Sequence, residues 1–290
     1  MRKFEEQRSI KKIMKKRKIK MIGLDCDGTL LNDQKELTSY SREVLLKAIE
    51  QGIVVLVATG RPVTGIPKEV RELPGIRYAL TANGARIVDL KENKVIHEST
   101  MPVETAIRIL DVFAKYDTYK EAFIGETGYT NARDLAHAEE YGLISSMIKY
   151  LRESRVPVPN VREKLQQMNQ QVDKVQALFK NREEKEKAFL EIKQIPGTEP
   201  TGALENNIEV NALGVNKGLG LLKLGELLGI ERDEIMACGD GMNDLEMLKE
   251  VGFGVAMENA VEPVKDAADY ITDSNENDGV AKAIEKFALI

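Results

Sequence analysis

The chain repeats one unit, a short apolar run followed by an amphipathic helix, and this alternation most restricts the folds open to it. The first run, Ile19-Lys20-Met21-Ile22-Gly23-Leu24, scarcely alternates, as a strand covered on both faces should not, and it ends on Asp25. A helix is predicted from Ser39, with Val44, Leu45, Ala48 and Ile49 on one face and Gly52 at its end. The β-branched run Ile53-Val54-Val55-Leu56-Val57-Ala58 then ends on Thr59, and Tyr78-Ala79-Leu80-Thr81 leads into Asn83-Gly84. The same grammar returns late in the chain. A helix from Lys217 carries Leu221, Leu222, Leu224, Leu227 and Leu228 and stops at Gly229, and Ile235-Met236-Ala237-Cys238 runs into Gly239-Asp240. A helix with Leu245, Met247 and Leu248, strands through Val255 and at Tyr270-Ile271, and a helix from Val280 follow. Alternating strands and helices predict an α/β fold, a doubly wound parallel sheet with right-handed crossovers.

Between these halves the texture changes. Residues 85–205 predict a hairpin over 86–100 turning at Lys91-Glu92-Asn93, helices over 103–116, 134–152 and 182–194, and strands over 122–124 and 172–179. This reads as an inserted α/β domain, with 19–84 and 206–290 forming the core. His97 and His137 fall within the insertion and read as ordinary residues of it. Residues 1–18 read as a flexible basic leader. The first twenty residues hold ten Lys or Arg against Glu5 and Glu6, so a chain of net charge -5 divides into a +8 segment and a -13 body. Such a body is poorly suited to nucleic acid, and no nucleic-acid partner is expected. With 42% hydrophobic and 31% charged residues the composition is that of a folded globular chain, and no apolar run approaches the ~20 residues that span a bilayer. Cys26 and Cys238 are too few for a disulfide scaffold and read as core packing, which makes a reducing cytoplasm the expected compartment. The oligomeric state is not legible.

In open parallel sheets ligands bind beyond the carboxyl ends of the strands, where strand order reverses. The strand-final residues are therefore worth collecting: Asp25 with Asp27, Thr59, and Asp240 with Asn243 and Asp244, joined by Lys217 at a helix start. Singly, Asp25 and Asp27 could be turn formers before Gly28, and Thr59-Gly60 a simple strand-to-helix turn. Together they suit phosphoryl transfer. Carboxylates repel a phosphate by ~4 kcal/mol per pair at 4 Å and an effective dielectric near 20. A divalent cation and a lysine reverse that sign. Oxygen ligands without His or Cys favour Mg²⁺ over Zn²⁺. One carboxylate can then attack phosphorus while another carries the proton.

These residues resemble the motifs of the haloacid dehalogenase superfamily of phosphatases. Asp25-Cys26-Asp27-Gly28-Thr29-Leu30-Leu31 looks like its first motif and Ala58-Thr59-Gly60-Arg61-Pro62 its second. Asn216-Lys217-Gly218 looks like the third, and Gly239-Asp240-Gly241-Met242-Asn243-Asp244 the fourth. Asn83-Gly84-Ala85 and Gly254-Val255-Ala256-Met257-Glu258-Asn259-Ala260 resemble the Cof-type branch, many of whose members are sugar phosphatases. The resemblance implies a Rossmann-like core with the insertion as an α/β cap that closes over the site. It also implies Asp25 as nucleophile and Mg²⁺ ligand, and Asp27 as acid/base lending its backbone carbonyl to the metal. Thr59 would bond the phosphoryl group, Lys217 would neutralise charge, and Asp240 and Asp244 would complete the metal site, Asp244 as a ligand through water or as a support from behind. Gly28, Gly60, Arg61 and Asn243 would lie on the substrate side. The implied activity is hydrolysis of a small phosphorylated metabolite, a sugar phosphate. Phosphoryl transfer within a sugar, or phosphate binding without catalysis, uses the same residues and stays open at this level.

Overall fold

The computed structural model describes residues 18–125, 127–202 and 205–289, so the basic leader, Lys18 apart, lies outside the described residues. Two sheets organise the chain. The first has eight strands in the order β14-β13-β12-β1-β2-β3-β4-β5. These are β1 (Met21–Leu24), β2 (Val54–Ala58), β3 (Tyr78–Thr81), β4 (Arg86–Asp89), β5 (Lys94–Glu98), β12 (Ile235–Gly239), β13 (Phe253–Ala256) and β14 (Tyr270–Ile271). All neighbours from β14 to β3 pair in parallel, and β1 has β2 on one side and β12 on the other. The order therefore reverses at β1, which places the crevice at Asp25. Leu24 registers with Cys238, and the Asp25 N–H donates to the Cys238 carbonyl at 3.0 Å. Both cysteines are fully buried here, in the apolar core that fills the sheet's two faces.

The second sheet orders its strands β10-β11-β9-β6-β7-β8. Its members are β6 (Thr118–Ile124), β7 (Thr127–Asn131), β8 (Arg155–Val158), β9 (Lys174–Phe179), β10 (Thr198–Thr201) and β11 (Asn207–Ala212). Its pairs are antiparallel except β7 with β8. One face carries a core of its own, in which Val175, Ala177 and Phe179 pack with Ala106, Ile109, Leu110 and Phe113 of the helix Val103–Phe113. The alternating residues of the same strands, Lys174, Gln176 and Leu178 on β9, line a cavity toward the first sheet. One dry face and one site face from a single strand is the period-2 rule in use.

The structure moves both expected boundaries of the insertion. The hairpin β4-β5 continues the first sheet, β4 pairing antiparallel with β3, so residues 86–98 belong to the core and not to the cap. At the other end β11 pairs with β9, which assigns 207–212 to the cap rather than to the core. The chain enters the cap at the bridge between Met101 and Val172. Among the described residues no helix is long and apolar enough to cross a membrane.

Candidate active site

Asp25 leaves the end of β1 into a turn that Gly28 makes possible. Gly28 has φ +81°, and a Cβ there would stand 2.5 Å from Asp240 Oδ2, so a side chain is excluded both by conformation and by the neighbouring acid. Thr29 inside the turn donates its hydroxyl to Asp240 Oδ1 at 2.7 Å. Asn259 donates to the Gly28 carbonyl at 2.8 Å and ties the turn to the loop after β13.

Lys217 comes from the first turn of the helix Lys217–Leu228, whose N-cap Asn216 accepts from the Leu219 N–H. Its ammonium is fully buried and donates to Asp25 Oδ1 at 2.5 Å and Asp244 Oδ1 at 2.7 Å. The other oxygen of Asp244 accepts from the backbone N–H groups of Asp240 and Gly241, each at 3.0 Å. Asp244 is thus held entirely by protein donors and braces the loop that presents Asp240.

Carboxylate oxygens of Asp25, Asp240 and Asp244 lie within 4.8 Å of one another. Burial pushes Asp25 well above the usual carboxylate range, against the pull of Lys217 and with help from the charges of Asp244 and Asp240. Burial, then Asp244, lifts Asp240 to about 7. Lys217 is raised: burial opposes its charge, but Asp244 and Asp25 more than offset it. One ammonium among three crowded acids leaves negative charge uncompensated, and hard oxygen donors at this spacing fit a divalent cation.

Asp27 faces elsewhere. Arg61 grips it at both oxygens, Nε to Oδ2 at 2.8 Å and Nη2 to Oδ1 at 2.7 Å, and Lys35 adds a contact at 2.9 Å. Burial raises Asp27, but these two cations outweigh it and hold the carboxyl below its ordinary range. The carboxylate cluster that could hold an ion is formed by Asp25, Asp240 and Asp244, without the Asp27 side chain. Arg61 also donates to the Gly65 carbonyl at 2.6 Å and lies 4.4 Å over the Tyr150 ring of the cap helix Ser145–Ser154. Arg61, expected on the substrate side, is engaged with Asp27 in this arrangement. Thr59 is buried, its hydroxyl accepting from the Arg61 N–H at 3.2 Å.

Asp25, Asp27, Gly28, Thr59, Gly60, Arg61, Asp240 and Asn243 all line one cavity of about 290 Å³, while Lys217 and Asp244 are fully buried beside Asp25. The cap supplies the remaining wall, with Leu143, Met147, Tyr150 and Leu151 on one part and Arg155, Lys174, Gln176, Asn207 and Glu209 on another. Arg155 is itself buried against Glu121, Nε to Oε1 at 2.6 Å. These cap residues escape a reading of the sequence, although the alternation Asn207-Ile208-Glu209-Val210-Asn211-Ala212 was the available signal for a strand with one polar face.

The model of the haloacid dehalogenase-like hydrolases matches residues 22–284. The chain belongs to the haloacid dehalogenase-like hydrolases. Among its relatives is the 5-amino-6-(5-phospho-D-ribitylamino)uracil phosphatase YcsE of Bacillus subtilis, 34% identical over 93% of this chain and 96% of that protein. The phosphatase YwpJ of the same organism is 31% identical over 91% of this chain and 98% of its own. A solved haloacid dehalogenase-like hydrolase from B. subtilis superposes with a TM-score of 0.82 at 29% identity, covering 92% of this chain and 99% of that one. The sugar phosphatase BT4131, of subclass IIB of the superfamily, gives 0.78 at 27% identity over 93% and 100%. The chain is therefore an enzyme of the phosphatase type, and its α/β core with a cap is the architecture of its family.

Proposed function

We propose that this hydrolase releases phosphate from small phosphomonoesters of sugars or sugar alcohols, with Mg²⁺ and through an aspartyl-phosphate on Asp25. The observation that carries the reading is Asp25 at the strand-order reversal, bonded to buried Lys217 and facing a cavity walled by both sheets. In the first step the Asp25 carboxylate attacks phosphorus, the bond from phosphorus to the ester oxygen breaks, and Asp27 in its acid form protonates the departing oxygen. In the second, water attacks the same phosphorus, gives its proton to Asp27, and the acyl-phosphate bond breaks to free Asp25 and phosphate. Asp27, held ionised by Arg61 and Lys35, is set for the second step; the first requires it to take up a proton as those cations turn to the incoming phosphate. Asp25 and Asp240 would hold Mg²⁺ with the Asp27 carbonyl, Asp244 supporting from behind; bound there, the ion offsets the negative charge of carboxylates and phosphate. Thr59, the Gly28 and Gly60 loops and Asn243 are assigned to the phosphoryl oxygens.

The leaving group meets a mixed wall, apolar at Leu143, Met147 and Leu151 and polar at Arg155, Gln176 and Asn207. That mixture suits a polyol phosphate, alone or bearing a flat ring, and both kinds occur in the names of relatives: a sugar phosphatase and a phosphoribitylaminouracil phosphatase. The test is phosphate release from a panel of hexose, pentose and ribityl phosphates, with Mg²⁺ and with EDTA. Release that EDTA stops, and that Asp25→Asn lowers on the order of 10³-fold or more, is the expected result. Isomer formation without phosphate release would assign phosphoryl transfer within a sugar instead, and an active Asp25→Asn would remove the nucleophile.

A further inference from the structure

The cap brings a buried ion pair against the loop that follows β2, and the cation of the pair bonds the loop's backbone. Lys174 of β9 is 2% exposed, and its ammonium donates to the Gly60 carbonyl at 2.8 Å. It also stands 3.2 Å from Glu209 Oε2 on the neighbouring strand β11. The same carboxylate accepts from Asn83 of the core at 2.5 Å, and its other oxygen from Asn207 at 3.3 Å. Asn83 accepts in turn from Asn243 at 3.4 Å. Gly60 lies so close beneath this group that a Cβ would come within 3.2 Å of Glu209 Oε2 and 3.3 Å of Lys174 Nζ.

A buried ion pair is a poor way to hold a cap in place, since desolvating two charges offsets most of their attraction. The cap already has an apolar core on the opposite face of the same strands. What the pair adds is direction. A charge-assisted hydrogen bond fixes its acceptor closely in distance and angle, and the acceptor here is the carbonyl of the Gly60–Arg61 peptide. Because Glu209 cancels the charge of Lys174, the lysine contributes position to this loop more than field.

We propose that Lys174 and Glu209 are positioning residues that set the Thr59–Arg61 loop from the cap, so that the loop reaches its working geometry only when the cap is seated. The proposal rests on Thr59 and Arg61 acting at the phosphoryl group and the acid/base. It links cap closure to turnover without any contact between Lys174 and the substrate.

The test uses the full chain with Mg²⁺ and p-nitrophenyl phosphate, whose leaving group needs no cap contacts of its own. Lys174→Met and Glu209→Gln are each expected to lower kcat tenfold or more with KM within threefold of wild type. The double variant, which leaves no lone buried charge and so guards against loss of fold, is expected to lose no more than the worse single variant, because both act through one loop. Amide exchange at Gly60 and Arg61 should rise in the single variants while β2 stays protected. A kcat within twofold of wild type in folded variants would overturn the proposal, leaving the pair a matter of stability alone. A raised KM at unchanged kcat would overturn it too, making Lys174 a substrate contact. If wild type releases no phosphate from any ester, the proposed activity fails first and this inference falls with it.

Discussion

Asp25 and Asp244 share Lys217 while Asp240 accepts from Thr29, and both Asp25 and Asp240 hold protons more tightly in the folded chain than an exposed carboxylate would. For an acid whose folded pKa is raised, the linked stability is present in acid and is lost as pH rises through that pKa. For Asp240 the window runs from 3.8 to about 7. Metal-free protein should therefore lose stability across this range relative to Asp240→Asn, by on the order of a few kcal/mol. Saturating Mg²⁺ should remove the difference, since a cation favours the ionised acid. Thermal midpoints of both proteins from pH 4 to 7 measure it, and parallel curves would contradict the charge assignment. These acids were legible because strand ends and glycines mark them in the chain. Lys174, Glu209 and the Arg155–Glu121 pair were not, because a polar residue in a cap strand becomes a site residue only through the docking of one sheet on another.

At the scale of elements, the helix Lys217–Leu228 works by its first turn. Asn216 accepts from the Leu219 N–H at 2.9 Å and satisfies one of the free donors of that turn. Asn216→Ala should cost about 1 kcal/mol in urea unfolding and lower kcat as well, because Lys217 rides on the same turn; an unchanged kcat would show that Lys217 holds its place without the cap. Core elements emerged close to their predicted ends, since glycine stops and continuous apolar runs define them. In the cap the helix expected over 134–152 divides into Ala132–Ala136, a short 3-10 turn Ala138–Tyr141 and Ser145–Ser154, with Gly142 left-handed at φ 71° between them. Apolar residues continue on both sides of Gly142, from Leu135 and Ala138 to Leu143, Ile148 and Leu151, and so concealed the break. The edge strands β8 and β10 were missed, each four residues long and each containing a proline, a residue that argues against a strand until an edge position is known.

For the molecule as a whole, a cavity of about 290 Å³ roofed by the cap admits a small metabolite and excludes a folded phosphoprotein. Phosphate release from a phosphorylated protein should be at least about 100-fold slower than from the preferred small ester, compared as kcat/KM. Comparable rates would mean that the roof does not govern access.

The two-faced strand β9 has a consequence for descent. On the roles proposed above, its inward residues divide their duties within five residues of one another: all three line the cavity, and Lys174 also bonds the Gly60 carbonyl, while Gln176 and Leu178 would meet the substrate. A lineage that drifts to a new substrate by altering β9 therefore exposes its turnover to the same mutations. Leu143, Met147 and Leu151, on and just before the helix Ser145–Ser154, touch the cavity with no such tie and leave a route along which preference can diversify while the rate is preserved.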